Sequence, residues 1–178
     1  MKKLITFLFI GVSIFLWGCS SSKPENYQTI KLNDLVFPVP SKAILVWNTQ
    51  KINKFQILYT YKIPALSGFS DSIVIWKYLW EYPKNEKKFF NIVVDKFIRK
   101  VAWAKLVDKS SFSIKNAKVY YFVYSIQNDI INWKWNPDYY WLQAYIFDKP
   151  NVYVVNFLFA DKKKVDYYKK LLKSIKIK

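Results

Sequence analysis

The chain has no histidine, one cysteine and three glycines among its 178 residues. Without histidine there is no Ser-His-Asp or Cys-His nucleophile system, no imidazole general base, and none of the common histidine-bearing zinc sites. A lone cysteine, Cys19, excludes an internal disulfide, so the fold has to stand on its core. Acidic residues are scarce, 12 against 29 lysines and arginines, and the only arginine is Arg99. A long apolar span is lacking too. The run Leu4 to Trp17 is interrupted by Thr6, Gly11 and Ser13 and stops before Ser20-Ser21-Ser22-Lys23, short of the roughly 20 residues a spanning helix needs.

What that run does contain is an export signal, because Met1-Lys2-Lys3 gives it a short positive start. It closes on Leu16-Trp17-Gly18-Cys19, which resembles the lipobox of bacterial lipoproteins: an aliphatic residue, a variable one, a small one, then cysteine. The resemblance implies that residues 1–18 are removed and that the Cys19 thiol carries a diacylglyceryl group. Two acyl chains hold a protein on a membrane where one holds it only marginally. The implied location is the cell envelope outside the cytoplasm, on the periplasmic face of the inner or outer membrane or at the cell surface. Trp17 is bulkier than the residues usual at its place, which implies slow cutting. The alternative is a plain secretory signal beside an unrelated cysteine.

Beyond the cysteine, residues 19–36 are polar, carry Pro24 and show no sustained periodicity, so they are expected to be a tether. Residues 37–178 are expected to be a single domain of ordinary size. Loss of Lys2 and Lys3 with the signal leaves 27 basic and 12 acidic residues, a formal charge of +15. Export argues against nucleic acid as the partner. The polyanions within reach are anionic lipid headgroups, lipopolysaccharide phosphates and teichoic acids. The same excess also fits a composition dominated by Lys, Asn, Ile, Tyr and Phe with no partner implied.

Two apolar stretches, Ala43 to Trp47 and Phe55 to Tyr61, are separated by Asn48-Thr49-Gln50-Lys51 and predict a hairpin. Asp71 to Leu79 predicts another strand, with Pro64 and Gly68 in the loop before it. Pro83 is placed to open a helix in which Phe90, Val93, Val94, Phe97, Ile98 and Val101 recur at three- and four-residue spacing. Strands follow over Ala117–Ile126, Tyr139–Phe147 and Val152–Ala160. In the first, Tyr120, Phe122, Tyr124 and Ile126 share one face while Tyr121 and Val123 share the other, so cover on both sides is expected. Asp161 can cap a last helix lined by Val165, Tyr168, Leu171, Leu172 and Ile175, with Asp166 and Lys170 spaced for an ion pair. This order gives an α+β domain with an antiparallel sheet.

Phe37-Pro38-Val39-Pro40, Ser72-Ile73-Val74-Ile75, the lysine-rich helix, Phe112 to Tyr120, Tyr153-Val154-Val155-Asn156-Phe157 and the closing Leu171-Leu172-Lys173-Ser174-Ile175-Lys176 together resemble the block order of the PsbP-like and DcrB-like proteins. The resemblance spans residues 37–178. It implies an antiparallel β-sheet sandwiched by helices and a non-catalytic accessory or assembly protein, with no catalytic motif to carry over.

Few reactions survive the missing histidine. Glu81 with Glu86, or Asp129 with Asp138, could pair as glycosidase carboxylates, but neither sits in a catalytic setting. Asn128, Asp129, Asn132, Asn136 and Asp138 supply oxygen ligands without EF-hand spacing or its glycine turn. No enzyme activity, cofactor or metal is expected. The expected role is an accessory protein that binds another envelope protein; the alternative is a module binding peptidoglycan or another envelope glycan. For the second, Trp133, Trp135 and Tyr139 are the candidate contacts, in the run Ile131 to Trp141 that packs three tryptophans and two tyrosines among turn residues. Trp141 falls inside a predicted strand and is expected to be the most buried of the three.

Overall fold

The computed structural model describes residues 26–32, 35–52, 54–65, 69–101, 104–126 and 138–177. Cys19 and the tryptophans Trp133 and Trp135 lie outside them. In chain order the elements are β1 (Tyr27–Leu32), β2 (Leu35–Pro40), β3 (Ile44–Ile52), β4 (Phe55–Ile63), β5 (Asp71–Tyr78), α1 (Glu86–Lys100), β6 (Ala104–Ile114), β7 (Ala117–Ile126), β8 (Tyr139–Asp148), β9 (Asn151–Phe159), α2 (Lys164–Lys173) and β10 (Lys176–Ile177). Strands β3 to β9 make one antiparallel sheet in the order β3-β4-β5-β9-β8-β7-β6, and β1-β2-β10 make a small second sheet. The domain is α+β, as expected from the sequence.

Side chains alternate across a strand, so a sheet whose strands are apolar on both sides has to be covered twice. On β7, Tyr121 and Val123 face one way and Phe122 and Tyr124 the other, and all four are buried. The first face carries Leu142, Val155 and Phe157 and is covered by Tyr168 and Leu172 of α2 and by Leu35 and Phe37 of β2. The second carries Tyr145 and Val154 and is covered by Phe90 and Val94 of α1. One ring ties three layers together: Phe157 of β9 has its centroid 6.2 Å from Phe37 and 4.9 Å from Tyr168. A buried carboxylate fastens the same helix to the sheet, since Asp71 Oδ2 accepts from the Tyr168 hydroxyl at 2.6 Å and from Lys164 Nζ at 2.7 Å. Such donors offset the cost of taking the charge out of water.

Local chemistry sets the helix ends. Helix α1 opens at Glu86 rather than at Pro83, because the Asn85 side chain accepts from Lys88 N at 2.9 Å and caps it. Arg99 and Lys100 close it, where cations are favoured by the helix dipole. Ahead of α2, Asp161 Oδ1 accepts from Lys163 N at 2.9 Å and holds the entering turn. The ion pair expected between Asp166 and Lys170 is replaced by Lys169, which lies 3.9 Å from Asp166 and makes its closer contact with Asp108 of β6.

Three departures from the sequence reading have physical causes. The stretch 19–36, expected to be a tether, contributes β1 and the start of β2, so strand structure is present ahead of Phe37, where the domain was expected to start. Among the described residues there, Ile30, Leu32 and Leu35 are the buried ones, too few to impose a visible period. Asn48 to Lys51, expected to be the hairpin turn, continue β3, which pairs with β4 through a register shift between Leu45 and Trp47. Strand β6 went unforeseen because it is a sheet edge: Lys105, Lys109, Ser110, Ser111 and Ser113 are exposed, and no alternation survives. It turns into β7 through Lys115-Asn116 with Lys115 at φ 47°, the left-handed region such tight hairpin turns require.

Candidate binding surface

Where β5 ends, the chain crosses to α1 through Leu79-Trp80-Glu81-Tyr82-Pro83-Lys84, and the crossing is aromatic on both sides. Leu79 N donates to Lys54 O at 2.8 Å, pinning the segment to the end of the β3–β4 hairpin. Below it, Tyr78 is wedged between Phe55, at 5.3 Å, and Phe89 of α1, at 5.6 Å. Above it Trp80 is 56 % exposed, with the Lys54 ammonium 2.9 Å from its ring centroid and Tyr78 at 6.0 Å. Between these rings lies an open cleft of about 510 Å³ lined by Tyr78, Trp80, Glu81, Tyr82, Lys84 and Phe89, with Pro83. A concave apolar surface with a few polar groups at its rim is the usual form of a ligand site.

Tyr82 sits at the rim with its ring 6.2 Å edge-on to Phe147, and its hydroxyl donates to the Glu86 carboxylate. Burial pushes its pKa well above the ordinary tyrosine value, and the Glu86 hydrogen bond and the Glu86 and Asp148 charges add to the shift. Burial likewise raises Tyr124 and Tyr145 inside the second core. All three therefore stay protonated in the fold at pH values where an unfolded tyrosine, of pKa 10.0, ionises. The unfolded chain then binds fewer protons than the folded one, so the stabilisation is complete below pH 10 and is lost as pH rises above it. Tyr124 alone should cost about 1.4 kcal/mol per pH unit beyond that point. Urea midpoints measured from about pH 9 to about pH 11 should fall, and Tyr124→Phe should make the fall shallower; parallel curves for the two proteins would contradict the shift.

The residues singled out in the sequence are scattered. Tyr139 opens β8, half-buried, with its ring 4.9 Å from Phe69. Trp141 is half-buried against Phe97 and Tyr124, and its Nε1 donates to Asn156 Oδ1 at 3.1 Å. Glu81 is exposed and Glu86 is engaged by Tyr82. Among the described residues no three Cys, Asp or Glu side chains gather where they could hold a metal ion. The signal for the cleft in the sequence is Tyr78-Leu79-Trp80-Glu81-Tyr82-Pro83, which is as dense in rings as the run Ile131 to Trp141.

No protein-family model matches the chain, and no curated protein does. Solved structures do. The cyanobacterial PsbP (CyanoP) of Synechocystis sp. PCC 6803 superposes with a TM-score of 0.56 at 13 % identity, over 92 % of this chain and 99 % of that one. The fold is PsbP-like. The Ran-binding protein Mog1p of Saccharomyces cerevisiae superposes with a TM-score of 0.52 at 9 % identity, over 86 % of this chain and 96 % of that one. At such identities the likeness fixes the PsbP-like arrangement of sheet and helices and nothing finer.

Proposed function

We propose that this chain is a lipid-anchored, extracytoplasmic accessory protein without catalytic machinery, which holds another envelope component in the cleft between β5 and α1. The observation that carries the reading is Trp80. A large ring left more than half exposed at the rim of an apolar cleft is the kind of anchor on which binding energy concentrates. The lipobox at Leu16-Trp17-Gly18-Cys19 supports the location. Mog1p, of similar fold, is named for binding a protein, which agrees with a binding role for this architecture. A glycan is the second reading, favoured by the rings of Tyr78, Trp80 and Tyr82 beside Glu81 and Lys84, a mixture suited to stacking on sugars and bonding their hydroxyls.

Trp80→Ala tests both. The full chain would be captured with its neighbours from solubilised membranes, and in parallel sedimented with purified cell wall. The substitution should change stability by less than about 0.5 kcal/mol and weaken binding by about 2 kcal/mol, roughly thirtyfold. Loss of a membrane partner supports the accessory role, loss of wall binding supports the glycan, and unchanged capture in both removes the cleft as the site.

A further inference from the structure

Ile44-Leu45-Val46-Trp47 are apolar, consecutive, and 58, 46, 60 and 51 % exposed. They begin β3, one edge of the seven-stranded sheet. In an ordinary strand half of such a run would face the core; here both alternating sets face outward, beside the register shift between Leu45 and Trp47. Edge strands are normally blunted with charged side chains, and the other edge, β6, carries Lys105, Asp108 and Lys109. The first half of β3 has no such protection.

Two features bear on what covers it. The charge along this stretch of chain has one sign: residues 35–63 hold Lys42, Lys51, Lys54 and Lys62, all exposed, and no carboxylate. Lys62 is the register partner of Ile44 on β4. An apolar strip that ends in tryptophan and is flanked by Lys42, two residues ahead of Ile44, and by Lys62 matches the chemistry of an anionic lipid interface, where rings lie at headgroup level and ammonium groups meet phosphates. The second feature is the corner at which the folded chain starts. Ser41 N donates to Asn26 O at 2.8 Å, and Gln28 Nε2 donates to Ala43 O at 2.9 Å, so the first residues of β1 lie against the segment that leads into Ile44. Tyr27, 47 % exposed, is eight residues from Cys19, a reach of at most about 28 Å. A lipid on Cys19 would thus hold the apolar edge close over the bilayer. This second argument rests on the lipid-anchor reading; the exposure and the charge do not.

We infer that the Ile44–Trp47 edge is a membrane-docking surface that lies in the headgroup layer of an anionic bilayer. Headgroup depth, rather than the hydrocarbon, is where the outward N–H and C=O groups of an edge strand keep their water.

The test uses Val46→Cys in the full chain, purified from membranes, labelled with an environment-sensitive thiol fluorophore and reconstituted into vesicles of phosphatidylcholine with or without phosphatidylglycerol. Val46 is exposed, so the fold should tolerate the change. Ser113→Cys on the far edge strand β6 serves as the control. The label at position 46 should brighten several-fold and shift to the blue on phosphatidylglycerol vesicles, and added salt should reverse this, while the label at position 113 keeps a water-like spectrum. Water-like spectra at both positions in both vesicles overturn the inference. A brightening that follows protein density and not lipid charge assigns the edge to a second copy of the chain and overturns it equally. The unsubstituted chain separates the two readings, because an acylated Cys19 takes no label. If Cys19 does take label, the anchor reading fails, and docking is then judged by whether Trp47→Ser abolishes flotation of the chain with phosphatidylglycerol vesicles.

Discussion

Phe157→Ala is expected to bring the domain to the brink of unfolding. The ring is wholly buried on β9, near the middle of the seven-stranded sheet, and packs at once on Phe37 of the small sheet and Tyr168 of α2. Its loss removes the transfer energy of a phenyl ring and leaves a hole that neighbouring strands, fixed by their hydrogen bonds, cannot close. Truncations of this kind cost about 3–5 kcal/mol, against a total of about 5–15 kcal/mol for a domain. With one cysteine in the chain, no internal disulfide limits the damage. The urea midpoint should drop sharply, with the slope of the transition kept. Phe112→Ala, on the half-exposed edge strand β6, is the comparison and should cost far less. A Phe157→Ala protein that melts within about 1 kcal/mol of the parent would mean that the three layers do not meet at this ring.

Cys19→Ala is expected to abolish both lipid attachment and cutting of the precursor. Diacylglyceryl transfer needs the thiol, and lipoprotein processing follows that transfer. Cells fed a radiolabelled fatty acid should mark the parent chain and leave the variant blank, and the variant should migrate as the heavier, uncut form. Cys19 is the sole cysteine, so no second thiol can substitute. Equal label in the two would end the lipoprotein reading; a blank parent chain would leave a plain export signal in its place.

The legible parts of this protein were those where burial writes a period into the sequence. Helix α1 was readable because Phe90 and Val94 recur at helical spacing, and β7 because rings and β-branched residues fill both of its faces. Illegibility followed the edges. β6 exposes most of its residues, β1 buries two, and β3 runs through residues with the composition of a turn, so nothing in their sequence separates strand from loop. The cleft was hidden for another reason. Its rings come from the end of β5, the crossing segment and α1, and the segment is pinned by a hydrogen bond from Leu79 N to Lys54 O, a contact between residues 25 apart that no local pattern encodes. The aromatic run from Trp133 to Trp141 stands out in the sequence by density alone; of its described rings, Tyr139 and Trp141 rest half-buried against neighbouring rings and Tyr140 is buried against Phe159.

The pairing of β5 with β9 imposes an order in time. Every other junction in the large sheet joins strands that follow one another along the chain, whereas Ser72 has to find Leu158. Growing from its N-terminus, the polypeptide can complete β3-β4-β5 early, but one margin of β5, the strand of Ile73 and Ile75, then waits unpaired until β9, some 80 residues further on, has been made. Non-local pairings are slow to form, and an open apolar margin invites the wrong strand in the meantime. The hazardous interval for this protein is therefore the wait before its last strands arrive, and anything that shortens or shields that wait raises the yield of folded molecules.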